Sequence, residues 1–128
     1  MSRSAEAVEW ESALWRESEK APGVRYKTVK MTLARRADLT GRVRTVLNKA
    51  RFHAASGEAA EQMEAALMAV DADRMLLDWG LLEVAGLKID GEAASVRSLI
   101  EAGPEELCRE IAEQIRRDCQ LSEQERKN

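Results

Sequence analysis

Leu39, Val43, Val46, Ala50 and His53 recur at the spacing of one helix face, which predicts a helix from about Ala34 to Ala55. Thr32 stands near its start, and Ser56-Gly57 ends it. A second helix is predicted from about Glu58 to Leu82, and it carries two apolar stripes. Met63, Leu67, Val70, Leu77 and Leu81 form the first; Met68, Ala72, Met75, Trp79 and Leu82 form the second. Two apolar sides are more than one neighbour can cover, so this helix is expected to be the central, most buried element. Arg74 falls on the first stripe, within reach of Asp71 at i−3 and Asp78 at i+4. It is expected to pair locally while its stem packs.

The flanking segments follow other periods. Val8, Trp10, Ser12 and Leu14 alternate as a strand does, while Trp10, Leu14 and their Glu and Ala neighbours suit a short amphipathic helix equally. The pattern leaves both open. Ala21-Pro22-Gly23 is a turn signal, and Val24 to Leu33 is rich in β-branched and aromatic residues, which predicts a strand and a hairpin across Pro22-Gly23. Beyond Gly80, the residues Val84, Leu87 and Ile89 precede Asp90-Gly91, a hairpin dipeptide, so a small β-hairpin or a tight connector is expected. Ser95 is a good N-cap for a short helix ending at Gly103. Pro104-Glu105-Glu106 then opens a last helix with proline at N1 and negative charge in the first turn. Leu107, Ile111 and Ile115 form its stripe, flanked by Cys108, Ala112 and Cys119. Ser122-x-x-Glu125 is a capping-box pattern with few residues behind it, which predicts a frayed turn or a peptide tail.

These elements predict an α+β fold that is mainly α: an antiparallel helical hairpin plus C-terminal helices, with an N-terminal strand or hairpin and a short central β-turn element. The organisation read from the chain is an N-terminal arm (1–23), one mainly helical domain (24–121) and a C-terminal tail (122–128). The expected core is Leu39, Val43, Val46, Met63, Leu67, Val70, Met75, Leu77, Trp79, Leu107, Ile111 and Ile115. With 128 residues, 45% apolar and 34% charged, the chain sits in globular range and can bury a core. Aromatics at 4% leave that core to aliphatic residues, Met and Ala, which suits packed helices and excludes an all-β fold. The longest apolar run, Ala65 to Val70, falls far short of the roughly 20 residues of a membrane span, and the N-terminus has no apolar leader. No membrane contact is expected, and the bacterial cytoplasm is the expected location.

The chemical inventory is thin. There is one histidine, His53, and two cysteines, Cys108 and Cys119, without metal-ligand spacing, so no metal residue is assigned. Eleven positions on one helix separate the cysteines by roughly 16 Å, beyond disulfide reach, and they read as free thiols. Spacing alone leaves a Cys108–His53 nucleophile pair open, but neither residue has a nucleophile elbow or an oxyanion-type glycine pattern around it. None of the seven glycines belongs to Gly-x-Gly-x-x-Gly or to a phosphate loop. No catalytic residue and no cofactor are assigned, and a binding protein without turnover is expected.

Charge is distributed in blocks. Residues 24–56 hold nine basic and one acidic side chain, and residues 57–92 hold two and nine. The basic block admits a nucleic-acid reading, in which Lys27, Lys30, Arg35 and Arg36 have the fewest acidic neighbours. The sequence pI of about 5.3 disfavours it, and the two blocks fall on successive helices that can neutralise each other as a hairpin.

Four stretches carry a resemblance: Asp73-Arg74-Met75-Leu76-Leu77-Asp78-Trp79-Gly80-Leu81, Gly86-Leu87-Lys88-Ile89-Asp90-Gly91-Glu92, Glu101-Ala102-Gly103-Pro104-Glu105-Glu106-Leu107-Cys108 and Leu121-Ser122-Glu123-Gln124-Glu125-Arg126-Lys127-Asn128. In this order they resemble small proteins of tailed-phage and prophage gene clusters, of the tail assembly chaperone type, over roughly Val24 to Asn128. Met31-Thr32-Leu33-Ala34-Arg35-Arg36 departs from the Met-Ser-Phe-Gly-Arg-Arg form of such proteins. The resemblance implies a role in virion morphogenesis, with another phage tail or virion protein as partner, and transfers no site residue. A minor virion structural or adaptor protein, virion-associated, is the neighbouring reading.

A chaperone must cover apolar surface on its client, and tryptophans on a charged arm suit that task. Trp10, Leu14 and Trp15, with Tyr26, are therefore the expected partner-binding residues. Two other arrangements compete: the arm folds back onto its own domain, or it is buried between subunits of a homo-oligomer.

Overall fold

The alternation around Leu14 resolves as a strand. In the computed structural model, which describes residues 6–55 and 59–127, β1 (Ala13–Glu17) pairs antiparallel with β2 (Arg25–Val29). The helices α1 (Leu33–Ala55) and α2 (Ala59–Gly80) follow, then β3 (Leu81–Ala85), β4 (Lys88–Ile89), β5 (Glu92–Ala93), α3 (Val96–Ala102) and α4 (Glu105–Lys127). The fold is α+β and mainly α. Side chains are described except at 47, 49–55, 59–62, 64–65 and 119–127.

Local chemistry sets the boundaries. The Thr32 hydroxyl accepts from the Arg35 N–H at 3.1 Å and caps α1. Ser95 and Ser98 form a reciprocal capping box on α3, and the Gly103 N–H returns to the Leu99 carbonyl at its end. Glu105 and Glu106 occupy the first turn of α4, where carboxylates complement the helix dipole. The backbone of α4 stays helical through Lys127, so the stretch read as a tail, 122–127, continues the helix. No Gly or Pro follows Pro104 to interrupt it.

The second helix ends at Gly80, two residues earlier than its apolar pattern predicts, because Leu81 to Ala85 form the third strand of a sheet ordered β1-β2-β3. Thr28 pairs with Leu81 and Tyr26 with Val84, with a register shift at Lys27/Thr28. Val24, just before β2, and the buried face of β2 (Tyr26 and Thr28) meet a core containing Leu76 and Leu77 of α2, Leu99 of α3, and Leu107, Ile111 and Ile115 of α4. Gly80 permits the approach of α2 to α4, since a Cβ there would lie 3.1 Å from the Ile115 Cδ1. The expected hairpin at Asp90-Gly91 is present as β4 and β5, with both turn residues at positive φ.

Three expected core residues lie outside the core. Met63, Leu67 and Val70 are 69%, 62% and 52% exposed. The described buried residues of α2, Ala72, Leu76, Leu77 and Gly80, lie in its C-terminal half, where Ile115 of α4 packs against Gly80. Val43, Val46, Met75 and Trp79 are half-buried. Arg74 makes no ion pair among the described residues; Asp73 pairs instead with Arg116 of α4 at 2.7 Å. Nor does a described ion pair join α1 to α2: Arg42 bridges to Asp38 within α1.

Candidate interaction surface

On α2, Met63, Leu67 and Val70 succeed one another at i, i+4 and i+7, and Ala66 and Ala69 beside them are exposed. A row of this spacing is one face of an amphipathic helix. It lies away from the covered stripe of Met68, Ala72, Met75 and Trp79, of which Ala72 is buried and the others half-buried. Among the residues between Arg44 and Val70 whose side chains are described, none is buried. At the base of the row an open depression of about 600 Å³ is bordered by Arg42, Asp71, Arg74 and Asp78, with Met75 and Trp79 behind them.

The arm residues divide. Tyr26 is 2% exposed and belongs to the core, so it offers no partner surface. Leu14 is half-buried opposite Thr28. Trp15, 36% exposed, stands on the outer sheet face with the Arg25 guanidinium 4.8 Å and the Lys27 ammonium 6.0 Å from its ring centre. Trp10 is 61% exposed and carries Lys30 at 5.3 Å. The strand that holds Leu14 and Trp15 is therefore built into the sheet.

The basic quartet is dispersed by its contacts. Arg35 donates to the Ser12 and Lys30 carbonyls at 2.8 Å each, pinning the segment before β1 to the start of α1. Lys27 lies 3.7 Å from Glu83 across the β2–β3 ladder. Arg36 is half-buried on α1. Cys108 is half-buried, its thiol donates to the Leu99 carbonyl at 3.5 Å, and burial pushes its pKa up, with Glu105 adding to the shift. A raised thiol pKa lowers the fraction of reactive thiolate at neutral pH. The side chains of His53 and Cys119 lie outside the described residues. Among the described residues no group of three His, Cys, Asp or Glu side chains is gathered for a metal ion, and no helix is long and apolar enough to cross a membrane.

Sequence reasoning missed a polar clasp between the β1–β2 turn and α4. Glu110 accepts from the Ser18 hydroxyl at 2.7 Å and from the Glu19 and Lys20 N–H groups at 2.8 and 3.3 Å. Arg16 pairs with Asp118 at 2.9 Å. No local motif announces contacts between residues about ninety positions apart. Glu110→Ala leaves the hydroxyl and two N–H groups without their acceptor and is expected to cost about 1–2 kcal/mol in urea unfolding; Glu110→Gln, which restores one acceptor oxygen, should cost less.

Burial pushes the Tyr26 phenol above its ordinary 10.0, and Glu110 adds to the shift. The unfolded phenol then ionises first, so the Tyr26 contribution is intact below pH 10.0 and is lost as pH rises toward the folded-state value. Stability measured at about pH 9 and about pH 11 should fall less in Tyr26→Phe than in the wild type.

Comparison of the chain with protein-family models, curated proteins and solved structures finds no match.

Proposed function

We propose that the protein is a non-enzymatic assembly protein of tailed phages or prophages, a tail assembly chaperone that binds another tail protein. The observation that carries this reading is the row of Met63, Leu67 and Val70, which the chain's own described core leaves uncovered. Contiguous apolar side chains on a soluble helix favour burial against a second surface. The resemblance of the Trp79-Gly80-Leu81 to Asp90-Gly91-Glu92 stretch and of the 121–128 ending supplies the class of partner. The contact is assigned to α2 in place of the arm, because Tyr26 is core and Trp15 is already flanked by Arg25 and Lys27. The site of action is the host cytoplasm during tail assembly.

Co-expression with tail-tube and tape-measure proteins from the same gene cluster tests the reading. The wild-type chain should raise the soluble yield of one of them, and Leu67→Asp should not. Salt-dependent binding to DNA with a slope of several phosphate contacts would replace it with the nucleic-acid reading. Retention of the chain in finished virions would replace the chaperone with an adaptor.

A further inference from the structure

We draw no further inference here: the strongest candidate, the exposed row of Met63, Leu67 and Val70 on α2, belongs to the surface already described, and nothing in the structure shows what covers it.

Discussion

Ile111→Ala is expected to destabilise the protein by about 3–5 kcal/mol, at the upper end for a buried aliphatic truncation. Ile111 is fully buried, in a core cluster with Leu107 and Ile115 on α4, Leu76 and Leu77 on α2, and Tyr26 on β2. Three layers meet there, the sheet, α2 and α4, so no single element can shift to fill the space without loosening the others. The loss contains both the transfer term and the residual cavity. Urea unfolding followed by far-ultraviolet circular dichroism measures it, and an unchanged m-value would show that the unfolded reference is the same. Leu67→Ala, a truncation of similar chemistry on the distal half of α2, should change stability by less than about 0.5 kcal/mol, since its side chain is already in water.

Gly86→Ala is expected to cost about 2–4 kcal/mol from a single added methyl. Gly86 has φ +82°, in the left-handed region, and a Cβ there would overlap the Gly23 carbonyl oxygen. Gly23 is itself at φ +93° in the turn between β1 and β2. The backbone at the end of β3 and the backbone of that turn are therefore in direct contact, and relief requires one of them to move. Gly91→Ala is the control. It has a comparable φ of +86° but open space around the new methyl, so it should show only the conformational cost, about 1–2 kcal/mol. The difference between the two variants isolates the contact between strand end and turn. Equal losses would mean that β3 and the turn separate freely.

Elements dominated by local chemistry were legible in the sequence. Thr32, Ser95, Gly103, Pro22-Gly23 and Asp90-Gly91 mark caps and turns through the side chain or dihedral that each position needs, and all lie where the structure has a boundary. What depends on distant partners was not legible. Leu81 and Leu82 continue the apolar periodicity of α2, yet pairing with Thr28 on β2 turns that stretch into β3. Tyr26 is the largest fully buried side chain among the described residues, and it appears in the sequence as one aromatic on an alternating segment whose covering elements lie much later in the chain. The first stripe of α2 runs from Met63 to Leu81, but Met63, Leu67 and Val70 are exposed while Leu77 and Leu81 are buried. Periodicity records a face, whereas the packing of distant elements decides how much of that face is core. The candidate surface was missed for this reason: a row that reads as interior is the exposed part of the same stripe.

The central claim is that this exposed row binds a partner and does not hold the fold together. Leu67→Asp tests it most directly, with thermal melting and capture of the co-expressed tail protein measured on the same preparation. A melting temperature within about 2 °C of wild type is expected together with loss of capture. A melting temperature that falls as far as in Ile111→Ala, or capture that persists undiminished, would contradict it.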